Sequence, residues 1–95
     1  VRVGKSVARR IVFGPNGWAD YLYWQTQDHK TLDRINALVR ECQRDPFRGI
    51  GKPEPLKREY TGCWSRRIDD GNRFIYRVTA GDLEIIACRY HYGDR

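Results

Sequence analysis

The chain predicts an α+β fold: a mostly antiparallel sheet of four to five strands with a two-helix hairpin packed on one face. Three observations carry this expectation. A β-branched run opens the sequence at Arg9-Arg10-Ile11-Val12-Phe13, two helical patterns follow, and three strand-like segments come last. Strands grouped after helices, instead of alternating with them, argue against a doubly wound parallel sheet and give the order β-α-α-β-β-β.

The elements can be justified in turn. Gly14-Pro15-Asn16-Gly17 ends the first strand. A helix follows with Trp18, Tyr21, Leu22 and Gln25 at i, i+3, i+4 and i+7. The aromatic run Trp18, Tyr21, Tyr23, Trp24 reads as core packing at this spacing, ahead of base stacking. Asp28 is a cap for a second helix, in which Leu32, Ile35, Leu38, Val39 and Cys42 form the buried stripe. Lys30, Arg34, Arg40 and Glu41 are expected to face water, and Pro46 stops the helix. Phe47 to Lys57 is a loop, and strands are expected near Trp64–Ile68, Phe74–Thr79 and Leu83–Tyr92.

Parity constrains the first hairpin. Trp64 and Ile68 should share a face with Phe74, Tyr76 and Val78, which a two-residue turn at Asp70-Gly71 would not allow. An odd-length, bulged turn with Gly71 or Asn72 at positive φ restores the match. Arg67, Arg73 and Ile75 then fall on the other face. Ala80-Gly81-Asp82 makes a second turn. The last strand, Leu83-Glu84-Ile85-Ile86-Ala87-Cys88, is apolar on both faces after its start, as suits a central strand.

Ninety-five residues make one domain with a modest core, and 13% aromatic content means that core leans on Trp, Tyr and Phe. Val1 to Ala8 shows no periodicity, so residues 1–8 read as a flexible extension and 9–95 as the domain. The net charge of +6 and pI near 9.5 favour polyanionic partners, nucleic acid first. Cys42, Cys63 and Cys88 are odd in number and widely spaced, which fits free thiols in a reducing cytoplasm. No apolar run is long enough to span a membrane. No His, Cys and carboxylate cluster has ligand spacing, so neither a metal nor another cofactor is expected.

Chemistry concentrates in two places. At Lys52-Pro53-Glu54-Pro55-Leu56-Lys57, Glu54 both follows and precedes a proline, so its backbone is held extended before any tertiary contact forms. A plain connector has this composition too, but a carboxylate that must be held still needs it, and the lysines suit an anion opposite. The last strand closes with Arg89-Tyr90-His91-Tyr92, where His91 can give or take a proton near neutral pH and Tyr92 can support a nucleotide. Of Arg66 and Arg67, parity lets only Arg67 share a site with Arg73. Cleavage of RNA through its own 2′-OH needs a base, an acid and cations on the phosphate. Glu54 as base, His91 as acid, and Lys57, Arg67 and Arg73 as clamp supply all three without a metal.

Asp20-Tyr21-Leu22-Tyr23-Trp24-Gln25, Asp45-Pro46-Phe47, Gly51-Lys52-Pro53-Glu54-Pro55-Leu56-Lys57, Trp64-Ser65-Arg66-Arg67-Ile68 and Cys88-Arg89-Tyr90-His91-Tyr92 together resemble the YoeB toxins of the RelE/ParE superfamily. The resemblance runs from about Arg9 to Tyr92. It implies a toxin that enters the A site of the 70S ribosome and cuts mRNA there, leaving a 2′,3′-cyclic phosphate and a 5′-OH. It implies a homodimer and a YefM-like antitoxin, with no membrane involvement. Carried over by position, the catalytic residues would be Glu54, Arg73, His91 and Tyr92, with Lys52, Lys57 and Arg67 on the RNA phosphates. Gly93-Asp94-Arg95 follow a tyrosine that commonly ends such chains, and Asn72 stands where histidine is common, with little consequence expected. The alternative is a non-enzymatic, ParE-like toxin that binds a protein such as DNA gyrase. An acid–base pair beside phosphate-binding arginines argues against it.

Overall fold

Strand β1 (Arg10–Phe13) turns through Gly14 into helix α1 (Pro15–Gln27) in a computed structural model that describes residues 8 to 91. Pro15 enters at the first turn of the helix, where its missing N–H costs nothing. Asp28 closes α1 and opens α2 (His29–Arg44): its carboxylate accepts from the Lys30 and Thr31 amides and from the Thr31 hydroxyl. Those Thr31 hydrogen bonds hold the Asp28 carboxyl below its usual pKa. Helix α2 ends at Arg44, ahead of Pro46 as expected.

A five-stranded sheet follows the order β1-β5-β4-β3-β2, with β2 at Glu54–Pro55, β3 at Trp64–Arg67, β4 at Arg73–Val78 and β5 at Asp82–Ala87. Neighbours are antiparallel except β1 and β5, which run parallel with Arg10 opposite Asp82. The last strand is thus internal, as its two apolar faces require. The sheet carries a core on each side. Toward the helices lie Trp24, Ile35, Leu38, Val39, Cys42, Phe74, Tyr76, Leu83, Ile85 and Cys88. Leu56, Cys63, Ile75 and Ala87 form a smaller cluster, and β-strand alternation puts Ile75 and Ala87 on the sheet's opposite face.

Several expectations need correction. The buried side of α1 is Gly17, Asp20 and Trp24, whereas Trp18 and Leu22 are exposed. The helix is rotated because a Cβ on Gly17 would lie 2.3 Å from the Ile85 carbonyl oxygen, so only glycine allows this approach to β5. Glu41 does not simply face water but bonds Arg66 and the Ile50 amide. The first hairpin has the expected odd-length loop: Arg67 pairs with Arg73, and Ile68 donates to the Asn72 carbonyl at 3.1 Å. Neither Gly71 nor Asn72 has a positive φ, however. The Asp69 carboxylate shapes the turn instead, accepting from the amides of Gly71 and Asn72. The register irregularity lies in the β4–β5 pairing at Ile75/Tyr76. Strand β5 stops at Ala87, so Arg89 to His91 is not a strand end.

Candidate active site

Proline stiffness places Glu54 at the sheet edge, where it forms the short ladder of β2 opposite Ser65. Residues opposite one another in a ladder project to the same face. Ser65 pairs with Ile75, and Ile75 with Ala87, so Glu54 belongs to the face away from the helices. Arg67 is two residues from Ser65 and opposite Arg73, which puts Glu54, Arg67 and Arg73 on one side of the sheet. Arg66 points the other way and is fully buried, as parity demands.

Buried Arg66 organises the loop that leads to Glu54. Its guanidinium donates to the carbonyls of Asp45 at 2.7 Å, Arg48 at 2.8 Å and Ile50 at 3.1 Å, and to Glu41 Oε1 at 2.9 Å. Tyr76, against which Arg66 Nε is hydrogen-bonded, donates its hydroxyl to the Pro46 carbonyl. Burial of Tyr76 pushes its phenol well above the usual value, so it stays a donor at any ordinary pH. The loop then touches down at Gly51, whose φ of +83° only glycine adopts readily, and whose carbonyl accepts from the Arg67 amide at 2.6 Å.

Beyond Glu54, Lys57 precedes a short 3-10 turn at Arg58–Tyr60 that is closed by backbone bonds from Tyr60 to Lys57 and from Cys63 to Tyr60. An open depression of about 470 Å³ beside this turn is lined by Glu54, Lys57, Arg58, Glu59 and Tyr60, among others. Lys52, Glu54, Lys57 and Arg67 are exposed, and Arg73 is half-buried. The Arg73 guanidinium donates to the Asp69 carbonyl at 2.6 Å and the Asn72 carbonyl at 3.1 Å, which parks it against its own turn.

After Ala87 the chain leaves the sheet and is gripped at alternate residues. Helix α1 holds Cys88 through both peptide groups: its N–H donates to Asp20 Oδ2 at 2.9 Å, and its carbonyl accepts from Trp24 Nε1 at 2.8 Å. The Arg89 guanidinium lies 3.5 Å from the Tyr23 ring centroid and 4.5 Å from that of Tyr90. Tyr90 reverses the chain at φ +67°, donates its N–H to Asn72 Oδ1 at 2.7 Å, and accepts from the Arg73 N–H at 2.9 Å. His91 follows directly, so the backbone delivers it beside Arg73. Tyr92 and Gly93-Asp94-Arg95 lie outside the described residues, as does most of the 1–8 extension.

The described non-glycine residues with positive φ are Lys52, Arg58 and Tyr90. All three flank the segments that carry Glu54, Lys57 and His91. Strained backbone of this kind persists where surrounding structure fixes it, and it gathers at functional sites. Sequence reasoning missed Asp20, Glu41, Arg58 and Asn72 in these supporting roles. The Gly17-Asp20-Trp24 spacing of i, i+3, i+7 was the available signal for Asp20, hidden because two of the three residues are not apolar. The sheet register thus brings a carboxylate, Glu54, and two guanidiniums, Arg67 and Arg73, to one face, and a backbone bond joins the residue before His91 to Arg73. Among the described residues no group of three or more His, Cys, Asp or Glu is arranged to hold a metal ion.

Comparison with known proteins places the chain in a family. A family model described as YoeB-like toxin of bacterial type II toxin-antitoxin system matches residues 13–92. The toxin YoeB of Streptomyces coelicolor is 52% identical over 83 residues, covering 87% of this chain and 99% of that protein. Among solved structures, the YoeB dimer from Staphylococcus aureus superposes with a TM-score of 0.84 at 40% identity, covering 90% of this chain and 100% of the other. The YoeB–YefM complex from the same organism gives 0.81 at 39% identity, again covering 90% of this chain and 100% of the other.

Proposed function

This chain belongs to the YoeB-like toxins of bacterial type II toxin–antitoxin systems, and from that premise we propose that it is a ribosome-dependent endoribonuclease that cuts mRNA in the ribosomal A site. The observation that supports this most is the placement of Glu54, Arg67 and Arg73 on one sheet face, with the His91 segment bonded to Arg73. In this reading the Glu54 carboxylate takes the proton of a ribose 2′-OH. The freed O2′ attacks the adjacent phosphorus, the P–O5′ bond breaks, and His91 gives a proton to the departing 5′ oxygen. The products are a 2′,3′-cyclic phosphate and a 5′-OH, with no external nucleophile consumed.

Arg73, Arg67, Lys57 and Lys52 stabilise the charge that builds on the phosphate, and Tyr92 supports a neighbouring nucleotide. For this the Arg73 guanidinium exchanges its turn carbonyls for phosphate oxygens, a better partner for a cation. Each acid or base role is worth about 10²–10⁴ in rate. The working form is a homodimer restrained by a YefM-type antitoxin, a reading supported by the YoeB dimer and the YoeB–YefM complex from Staphylococcus aureus, and its place is the cytoplasm.

The test is a translation reaction supplied with purified chain, with and without chelator, followed by mapping of mRNA ends. Cleavage at the A-site codon in both cases is expected, with Glu54→Gln and His91→Gln slowing it at least about 100-fold while keeping the parent's circular dichroism. If both variants cut like the parent, the mechanism is wrong. Inhibition of gyrase supercoiling without mRNA cleavage would replace this reading with a protein-binding toxin.

A further inference from the structure

Asn72 lies between the two segments that the ribonuclease reading needs in register, and its carboxamide is bonded to both. Oδ1 accepts from the Tyr90 N–H at 2.7 Å. Nδ2 donates to the Asp69 carboxylate at 3.1 and 3.2 Å, and the Asn72 amide adds a bond to Asp69 Oδ1 at 2.8 Å. Asp69 is also the residue whose carbonyl receives the Arg73 guanidinium. One planar side chain therefore ties the residue before His91 to the turn that carries Arg73. The bond from the Arg73 amide to the Tyr90 carbonyl completes a two-point hold on Tyr90.

The geometry points to Asn72 as a positioning residue: its carboxamide fixes the His91 segment against the Arg73 turn. The assignment rests on the ribonuclease reading for its catalytic consequence, but the hold itself is a property of the free protein. Tyr90 has φ +67°, a conformation that a tyrosine does not keep without external restraint. An acceptor aimed at its N–H supplies that restraint. Sequence alone gave no sign of this, because asparagine before an arginine at a turn reads as ordinary turn chemistry.

The experiment compares the parent with Asn72→Ala and with the double swap Asp69→Asn/Asn72→Asp. Alanine removes both bonds. Asn72→Asp alone would face the Asp69 carboxylate across the present 3.1 Å contact, so the swap exchanges the two groups: an oxygen still faces the Tyr90 N–H and an amide still spans the gap. Hydrogen exchange at the Tyr90 amide, read without RNA, should quicken at least about tenfold in Asn72→Ala and stay near the parent in the swap. On programmed ribosomes, Asn72→Ala should lower kcat by about 10- to 100-fold with KM within about twofold, the mark of misplaced groups and not of lost binding. The swap should recover most of that loss. Unchanged Tyr90 exchange in Asn72→Ala overturns the proposal, and so does a swap as slow as Asn72→Ala while its Tyr90 amide stays protected. Should Asn72→Ala fail to fold, Asn72→Ser, too short to reach the Tyr90 N–H, takes its place in both readouts. A parent that protects Tyr90 but does not cut mRNA would sink the ribonuclease reading and leave the hold to be judged by exchange.

Discussion

Glu41 Oε1 accepts from two directions, the Ile50 amide at 2.5 Å and the Arg66 guanidinium at 2.9 Å. The Ile50 hydrogen bond, opposed by partial burial and assisted by Arg66, holds this carboxyl below its ordinary value of 4.5. A folded pKa below the unfolded one means that the unfolded chain binds more protons, so stability falls as pH drops. The contribution of Glu41 is therefore present above about pH 4.5 and is lost as pH falls through the lowered folded value. Urea midpoints measured against pH should show the gap between parent and Glu41→Gln closing below pH 4.5; a constant gap would contradict the assignment. Glu41 was misjudged from sequence as a solvent-facing residue of α2. Periodicity reports which face of a helix is apolar, and it is blind to a buried cation arriving from another element. Arg66 and Arg67 show the opposite case, since strand alternation alone separated the structural arginine from the one on the site face.

Helix α1 acts on the site through the element it touches, not through groups it presents. Gly17 brings its backbone against Ile85, and this approach lets Asp20 and Trp24 reach Cys88 just past the end of β5. A methyl group at position 17 meets backbone oxygen, which cannot swing aside as a flexible side chain would. Gly17→Ala should destabilise the fold by about 2 kcal/mol, seen as a lower denaturation midpoint with an unchanged slope. Faster amide exchange at Cys88 should accompany it, and a variant as stable as the parent would show that α1 can back away freely. The order and type of the elements were legible because α2 is strongly amphipathic and β5 is apolar on both faces. The end of β5 was not. Cys88 to Tyr92 continues a strand-like composition, but side chains of α1 and of the first hairpin turn take the peptide groups of Cys88 and the N–H of Tyr90.

On the scale of the whole molecule, the two cores on either side of one sheet keep all three cysteines buried. Burial pushes the Cys42 thiol up to about 11 and raises Cys63 as well, so neither carries much thiolate at neutral pH. Thiol reagents should label the native chain slowly, and labelling should reach completion only at denaturant concentrations that unfold it. A fast native-state phase would show that a core opens locally. No helix among the described residues is long and apolar enough to cross a membrane. The fold class and the shared face of Arg67 and Arg73 were readable because both follow from periodicity, whereas Glu54 reads as part of a loop, its two-residue pairing opposite Ser65 being too short to show a period. The grip on the His91 segment was not, because it is made of single polar bonds between distant parts of the chain.

The parallel pairing of Arg10 with Asp82 has a consequence for biosynthesis. Strand β1 leaves the ribosome early, yet its one neighbour in the sheet is β5, and β4 waits for the same strand. Nascent residues up to Gly81 therefore cannot close the sheet, and the segment that places His91 is made later still. On the proposed reading, a protein that attacks translating ribosomes is inactive while the strand that joins β1 to the rest of its sheet remains unsynthesised. The machine that makes the toxin is spared until the strand it is still adding has been released to fold.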